Sequence, residues 1–377
     1  MMEPIVQLTA GDYENAIDFL NLVFSVHYPI DFPRVLPKLY KPTDDCMSMN
    51  YAIKRHGKIR AIVGLYPIEL HVGAIPLKLA AIGAVSSHPN DRAHGYMQRL
   101  LRFCLKVMRA EGYHLSWLGG QRQRYGYFGY EVCGSTAVLT VNKKNISHCY
   151  TEAPAVHFDK VGAPDERVSQ MKLWHDQKPI HCSRPVASFV EISRSWQHDL
   201  FAALSASGEL AGYVIANAAG AVFEMVTSNE KAVIPAWVTQ QAQDQVVFET
   251  AMLANPIVTE LTRICEQPSV RSSGNWQIFD WQRVVDGVLK LKHQSMQLMK
   301  DTFRLGIDGY GVVELKVDDC AAECVRTQKR AHFSCDPRTA MRLLFGPLPP
   351  AMSGLLDHST LNSWCPLPLS LPRPDEV

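Results

Sequence analysis

Residues 86–101 read SSHPNDRAHGYMQRLL and join two segments of different periodicity. The apolar run 79–85 before them has the composition of a buried strand. After Gly95, apolar residues recur at helical spacing, so one helix face is buried. A strand, a short loop with a glycine and a helix start together present free backbone N–H groups. The stretch therefore predicts an anion site at residues 92–97.

The amino-acid composition is typical of a folded protein, and positive and negative charges nearly balance. Of its 377 residues, 47% are hydrophobic and 20% charged, and the formal net charge is +1. The length predicts two or three domains. The near-zero charge argues against nucleic acid or an anionic membrane as a partner. No segment has the length and apolarity of a membrane span, and the first twenty residues lack the order of charges of a signal peptide.

Ten cysteines occur singly along the chain, and none belongs to a CxxC pair. The closest two are Cys320 and Cys324, and the sequence has no second pair of Cys or His residues at the spacing that would complete a zinc site with them. We therefore expect a reduced, cytoplasmic protein and no metal site.

Strand and helix signals alternate over residues 1–150. A short strand and a helix come first, and three extended runs between 49 and 85 then turn at 55–58 and at 72–74. A helix over 95–111 and another strand, 114–118, follow. This order predicts an α/β sheet domain of the α+β kind.

Two further units are expected after this domain. Residues 210–216 and 221–226 have the pattern of paired strands, and a helix is predicted over 249–266. From Trp276 onward the pattern indicates a helix, a strand at 312–317 and a capped helix at 337–346. The predicted domains are residues 1–150, 151–275 and 276–377.

The loop after the strand lacks two common phosphate-binding patterns. No GxxxxGK[ST] string exists, and the single Gly95 does not make the GxGxxG fingerprint of a dinucleotide fold. What remains is a one-glycine loop whose N–H groups can hold a pyrophosphate, or a plain turn before a helix.

A second string, QRQRYGYFGYE at residues 121–131, follows the next strand. With the loop RAHGYM at 92–97, it resembles the GNAT superfamily of acetyl-CoA-dependent N-acetyltransferases. That family's cofactor loop is written R/Q-x-x-G-x-G/A, and a later turn carries Y-x-x-x-G-F. Here Met97 stands at the last loop position and Tyr130 stands for Phe.

The end of the chain resembles one subfamily, the Eis-type (enhanced intracellular survival) acetyltransferases. The matching segments are the LLFGP run at 343–347 and the closing PLPLSLPRPDEV at 366–377. This resemblance implies a GNAT domain, a second degenerate GNAT-like domain and a sterol-carrier-protein-like domain. Such relatives assemble as homo-oligomers, so the same is expected here.

The resemblance also assigns cofactor residues. The backbone of the loop would cradle the pyrophosphate of acetyl-CoA, with the guanidinium of Arg92 close to the phosphates. The strand just before it would polarise the thioester carbonyl. The expected cofactor-binding residues are Val85, Ser87, Arg92, Ala93, His94, Gly95, Tyr96 and Met97.

The catalytic groups implied by the resemblance are the phenol of Tyr125, as general acid, and the terminal carboxylate of Val377, as base. The alternating Leu367, Leu369 and Leu371 favour a docked tail over a frayed one. Tyr127 and Phe128 are interpreted as part of an aromatic cluster that closes the core.

The acceptor is expected to be a primary amine of a small cationic molecule, contacted by Asp31 and Glu376, with Asp375 adding negative charge. Two alternatives remain open at this point. One is a binding protein that holds acyl-CoA or an apolar ligand without turnover, which Met97 favours. The other is an enzyme that acetylates protein N-termini or lysines.

Overall fold

The computed structural model describes residues 3–25, 29–151 and 155–377. They form three β-sheets with helices packed between and around them. None of the helices in these ranges is long and apolar enough to cross a membrane. The mixed sheets and helices confirm the predicted α+β fold class.

The strands, in chain order, are short except for two long ones near the N-terminus. They are β1 (Ile5–Gln7), β2 (Asn50–Arg55), β3 (Lys58–Val72), β4 (Ile75–Ser87), β5 (Leu115–Leu118), β6 (Glu131–Cys133), β7 (Thr136–Asn142), β8 (Val156–Lys160), β9 (Ile180–Cys182), β10 (Asp199–Ser205), β11 (Leu210–Ala216), β12 (Val222–Thr227), β13 (Gln245–Ala251), β14 (Gln267–Arg271), β15 (Gly274–Ile278), β16 (Asp301–Ile307), β17 (Gly311–Val317), β18 (Ala322–Thr327) and β19 (Phe333–Cys335).

The helices connect and cover these strands. They are α1 (Tyr13–Phe24), α2 (Phe32–Val35), α3 (Asp44–Met47), α4 (Tyr96–Ala110), α5 (Arg122–Tyr125), α6 (Lys143–Cys149), α7 (Val168–Asp176), α8 (Val186–Ser193), α9 (Glu230–Gln240), α10 (Pro256–Ile264), α11 (Trp281–Ser295), α12 (Pro337–Phe345) and α13 (Ser359–Trp364).

The first sheet has the order β1-β2-β3-β4-β5-β15-β6, with β9 paired to the far end of β3. The meander β2-β3-β4 and its two turns lie where the sequence predicted them, and α4 matches the helix expected over 95–111. One sheet face packs against α4 through its apolar stripe. The other face packs against α1 and against helices and strands of the C-terminal third of the chain. Both faces of the first sheet are therefore buried. Strand β4 lies at its centre, with three strands of this order on either side.

The second sheet has the order β14-β7-β13-β12-β11-β10-β8. Its paired strands β11 and β12 turn at residues 218–220, as predicted. The sheets do not divide the chain at residues 150 and 275, because β7 pairs in the second sheet and β15 pairs in the first. The sequence of a short strand does not show which sheet the strand joins, because its pairing partner lies far along the chain.

One predicted helix is wrong at its start. Residues 249–251 belong to strand β13, and the helix there is α10, which begins only at Pro256. Asn255 caps α10 by accepting a hydrogen bond from the backbone N–H of Val258 at 3.0 Å. The apolar positions of the strand and the helix run together in the sequence, so periodicity alone does not separate them.

The third sheet, β18-β17-β16-β19, follows α11 and precedes α12. The helix, strand and helix expected in this part of the chain are all present. Its buried residues are continuous with those of the first sheet, in one hydrophobic cluster. The C-terminal third is therefore packed onto the N-terminal sheet, and residues 365–377, here called the tail, return across it.

Candidate active site

The centre of the first sheet opens where β4 continues beyond β5. Parallel pairing joins Leu79–Ile82 of β4 to Leu115–Leu118 of β5 and ends there. One residue later the pairing of β4 with β3 shifts register, so that Ala84 and Val85 oppose a single residue of β3. Ala84 has a φ of 53°, a conformation that is uncommon for residues other than glycine and that the bulge accounts for here. From Gly83 onward β4 therefore has no paired neighbour on the β5 side, so that edge of the strand can meet a ligand.

The loop after β4 ends in a left-handed turn at the start of α4. Gly95 precedes the helix with a φ of 72°, and Ala93 has a φ of 75°. Arg92, Ala93 and His94 are exposed. The first N–H groups of α4 lack intrahelical partners, and the positive end of the helix dipole adds to their attraction for an anion. This geometry fits the pyrophosphate of a coenzyme A.

A buried carboxylate holds this loop in place. Asp91 is 3% exposed and forms ion pairs with Arg60 and with Arg55. His88 accepts a hydrogen bond from the Asn90 backbone N–H at 3.2 Å and also faces Asp91, so its ring serves the loop itself. The loop conformation is therefore set by the neighbouring strand β3 as well as by its own glycine.

Met97, the last residue of the predicted loop, lies in the first turn of α4. Its side chain is half-buried and packs against the cluster between α4 and the sheet. Tyr96 is buried as well, and its ring stacks on His94 with centroids 5.6 Å apart. A methyl group added at Gly95 would meet no atom within 4 Å, so the space beside the turn is open.

Tyr125 lies at the end of α5, on the sheet face that carries α4. It is 9% exposed, and burial raises the pKa of its phenol above the ordinary value. The phenol therefore keeps its proton at neutral pH, as a general acid requires. Gly120 makes room for it, since a methyl group there would lie 2.7 Å from the Tyr125 ring.

The loop that carries Tyr125 is attached to the C-terminal third of the chain. Glu131 is fully buried, and its carboxylate accepts hydrogen bonds from Arg338 of α12 at 3.0 and 3.1 Å. Arg122 pairs with the same carboxylate at 2.7 Å. Arg122 and Arg338 thus both attach this loop to the buried Glu131.

The aromatic residues around Tyr125 divide between core and surface. Tyr130 is buried, and its hydroxyl lies 2.7 Å from that of Ser116. Phe128 packs half-buried on the same cluster. The interpretation of Tyr127 as a core residue is wrong, because its side chain is 91% exposed. The 3-10 turn at 126–128 points alternate rings inward and outward.

The tail is docked rather than frayed. Leu367, Leu369 and Leu371 are each at most 4% exposed, as their alternation predicted. The Leu369 carbonyl accepts hydrogen bonds from the Ser135 backbone N–H at 3.0 Å and from the Ser273 hydroxyl at 2.9 Å. The tail is therefore attached to both of the first two sheets before it reaches its end.

Two side chains from different parts of the chain donate hydrogen bonds to the backbone of the last residues. Lys38 donates a hydrogen bond to the Pro374 carbonyl at 2.7 Å. The Trp196 indole donates to the Glu376 carbonyl at 3.3 Å, and Trp196 itself adopts a φ of 62°. A non-glycine residue in this region costs about 1 kcal/mol or more and persists only where its surroundings fix it.

The tail brings Val377 to the bulge of β4. A methyl group at Gly83 would lie 3.1 Å from Cγ2 of Val377 and 3.3 Å from its carboxyl carbon. Gly83 is the first residue of β4 beyond the pairing with β5. The contact lies on the face that buries α1, opposite the cluster that contains Tyr125. Val377 thus lies one residue beyond the pairing of β4 with β5, and the Tyr125 ring lies against Gly120, two residues beyond the end of β5.

Arg184 links the tail to the core of the second sheet. Its guanidinium donates to both oxygens of Glu224 at 2.9 and 3.0 Å and to both oxygens of Asp375 at 2.9 and 2.7 Å. All three side chains are buried. Although burial raises the pKa of a carboxyl group, Arg184 outweighs it and lowers the pKa of Asp375. The expected role of Asp375 beside the substrate is therefore wrong, because Arg184 neutralises its charge.

Replacing Arg184 by methionine is expected to destabilise the protein by about 3–5 kcal/mol, because two buried carboxylates lose their partner. Urea unfolding measures the loss. The matched control is Arg167→Met, which removes a more exposed pair with Asp165 and is expected to cost less than about 1 kcal/mol. Equal effects of the two substitutions would contradict the buried network.

Glu376 is the substrate-contact candidate that the structure places at a cavity. Burial raises its pKa to about 7, and its ion pair with Arg373 offsets only part of that effect. The pKa of Glu376 is therefore higher in the folded protein than in the unfolded chain. Protonated Glu376 stabilises the folded protein at low pH, and this contribution is lost as the pH rises through 7.

We therefore expect Glu376→Gln to flatten the pH dependence of the free energy of unfolding. Between about pH 5 and about pH 8 the natural protein should lose up to about 3 kcal/mol relative to the variant. Urea unfolding of both proteins at the two pH values measures this difference. Parallel pH profiles would show that Glu376 is not held in the buried site described here.

A cavity of about 800 Å³ lies between the first two sheets and the tail. Its walls come from the end of β5, from β12 and β13, and from tail residues 370–373 and Glu376. The cavity thus reaches the residue that precedes Val377. Asp31, the other expected substrate contact, is exposed at the start of α2 and does not line it. Residues 26–28, just before Asp31, lie outside the described residues.

Several residues of the site gave no signal in the sequence. Lys38, Arg184 and Trp196 are single residues without a motif, and their partners lie far along the chain. Val85 is half-buried at the bulge, as the cofactor role requires, and Ser87 pairs with Ala61 beyond it. Within the described ranges no group of three or more His, Cys, Asp or Glu side chains could hold a metal ion.

Comparison with known proteins identifies the N-terminal unit. Residues 4–133 match the family model of the acetyltransferase (GNAT) domain. Over these residues the chain is therefore similar to a GNAT acetyltransferase domain. No curated protein matches the sequence significantly.

Solved structures extend the likeness over nearly the whole chain. A probable N-acyltransferase from Enterococcus faecalis V583 is 14% identical, with a TM-score of 0.68 and coverage of 96% of this chain and 95% of its own. A GCN5-related N-acetyltransferase from Kribbella flavida is 16% identical, with a TM-score of 0.67 and the same coverage. Eis1 from Mycobacterium abscessus is 13% identical, with a TM-score of 0.62, covering 98% and 97%. At these identities the likeness concerns the fold.

Proposed function

We propose that the chain is an acetyl-CoA-dependent N-acetyltransferase that acetylates a primary amine by direct attack. The observation that carries this proposal is that Val377 contacts Gly83 and the Tyr125 ring contacts Gly120, each within two residues of the point where β4 and β5 cease to pair. An acid and a base at one gap between β4 and β5 suit a reaction that must both deprotonate an amine and protonate a leaving thiolate.

The residues around the opening fit acetyl-CoA. The N–H groups at the start of α4 would hold its pyrophosphate, and the bulge at Val85 would present a backbone donor to its thioester carbonyl. When bound, acetyl-CoA supplies the acetyl group as an activated thioester. The side chain of Met97 packs half-buried against the cluster between α4 and the sheet, which supports a loop with room for the pyrophosphate.

The two ionisable groups divide the proton transfers. A carboxylate at Val377 takes a proton from the attacking amine as the new carbon–nitrogen bond forms. The Tyr125 hydroxyl gives its proton to the sulfur as the carbon–sulfur bond breaks, so charge is balanced over the whole transfer. Lys38, Trp196 and Arg184 act as positioning residues, because they hold the backbone that carries Val377.

The test is release of coenzyme A thiol from acetyl-CoA in the presence of primary amines, with the acetylated product identified by mass spectrometry. We expect amine-dependent release that exceeds hydrolysis without amine. Thiol release that is the same with and without every amine would contradict acetyl transfer and leave a binding role.

Four further expectations stay predictions. They are the second, degenerate GNAT-like domain, a sterol-carrier-protein-like character of the C-terminal third, assembly as a homo-oligomer and a cytoplasmic location.

A further inference from the structure

The charged residues that line the cavity are paired with one another. The lining contains four carboxylates and three cations, and each cation has a carboxylate partner within the same lining. The cavity therefore has nearly no net charge to attract a polycation. The pairs are Lys178 with Glu224, Arg271 with Glu249, and Arg373 with Glu376, and the remaining carboxylate is Glu230.

Two of these pairs present their cations to the open space. The side chains of Arg271 and Arg373 are 54% and 42% exposed, whereas those of Glu249 and Glu376 are 15% and 13% exposed. A ligand thus meets both guanidinium groups first. A guanidinium binds a carboxylate in two parallel hydrogen bonds, which makes it the preferred protein partner for that group.

The two pairs also lie close to each other and to the proposed base. Glu249 is near enough to Glu376 to add to the rise in the Glu376 pKa, and Glu376 is the neighbour of Val377. An amine in the cavity therefore meets two carboxylates that can hold its ammonium form, and one of them, Glu376, precedes Val377 in the chain. The guanidinium groups beside them can hold a carboxylate of the same molecule.

The rest of the wall is largely apolar. Aromatic residues come from both sheets: Trp117 at the end of β5, Phe223 on β12 and Phe248 on β13. Leu371 of the tail adds to this surface. An apolar body would bury its surface here, and the removal of apolar surface from water favours binding.

We propose that the acceptor is an amino carboxylate with an apolar body, such as an aromatic amino acid, rather than a polycation. This inference rests on the proposed function, because it names the acceptor of the same site. The ammonium group lies at Glu249 and Glu376, the carboxylate at Arg271 and Arg373, and the ring against the aromatic wall. A polyamine would instead place additional positive charges beside Lys178, Arg271 and Arg373 of the cavity wall.

Two matched pairs of probes test this proposal: phenylalanine against phenethylamine, and tryptophan against tryptamine. Each pair shares the amine and the ring and differs in the carboxylate. We expect kcat/KM for acetylation to be about tenfold to a hundredfold higher for the amino acid. Arg271→Gln should remove that preference, whereas the matched control Arg330→Gln, at an exposed residue outside the cavity, should keep it.

Direct binding separates this proposal from the proposed function. Calorimetric titration of the natural protein with the same four probes should show the same preference and the same dependence on Arg271. Binding with the preference but without thiol release would support the acceptor class and contradict the N-acetyltransferase. Thiol release that favours spermidine or the amines over the amino acids would support the enzyme and overturn the acceptor class. Amino acids that neither bind nor react would overturn it as well.

Discussion

Two glycine residues added after Val377 are expected to lower the rate of acetyl transfer by about 10²- to 10⁴-fold, the usual contribution of a general base. The addition converts the carboxylate into an amide and places extra atoms against Gly83, where Val377 already lies in contact. Acetyl-CoA affinity should change little, because the addition leaves the N–H groups at the start of α4 unchanged.

The thiol-release rate at saturating acetyl-CoA measures this effect. The control is Val377→Leu, which keeps a carboxylate at the same position and should retain turnover within a few-fold. An extended protein as active as the natural one would eliminate the carboxylate at residue 377 as the base. A loss of activity in the Val377→Leu variant as well would indicate a packing role for the side chain.

Tyr125→Phe is expected to reduce kcat by about 10²- to 10⁴-fold while the Kd for acetyl-CoA stays within about threefold. The substitution removes only the hydroxyl, and the ring continues to fill the space beside Gly120. Because burial raises the pKa of Tyr125, its proton remains available across the neutral range.

Steady-state kinetics together with calorimetric titration separate the two quantities. Tyr127→Phe is the matched control, since Tyr127 is 91% exposed and two residues away. If Tyr125→Phe raised KM for acetyl-CoA and left kcat unchanged, Tyr125 would be a binding residue and the acid would lie elsewhere.

The sequence predicts the parts of the fold that local periodicity determines. The meander between residues 50 and 87 and the helix α4 follow from alternation and from apolar residues at helical spacing. The membership of β7 and β15 in their sheets does not follow, because the partner strands lie more than a hundred residues away. Pairing at such distance is decided by tertiary packing rather than by propensity.

The candidate site divides in the same way. Gly95 and Tyr125 belong to strings whose spacing is visible in the sequence, and the buried leucines of the tail follow from their alternation. Arg184 and Trp196 have no such spacing, since each acts on the tail through one long-range contact. Charge alone is also misleading, because Asp375 is acidic in the sequence and neutralised in the fold.

Calorimetric titration of the untagged protein with acetyl-CoA tests the central claim most directly. The bulge at Val85, the left-handed turn at Gly95 and the open start of α4 predict binding with a micromolar Kd and one site per chain. No heat of binding up to millimolar acetyl-CoA would contradict the account, because the acid, the base and the cavity would then surround an opening that does not take the acetyl donor.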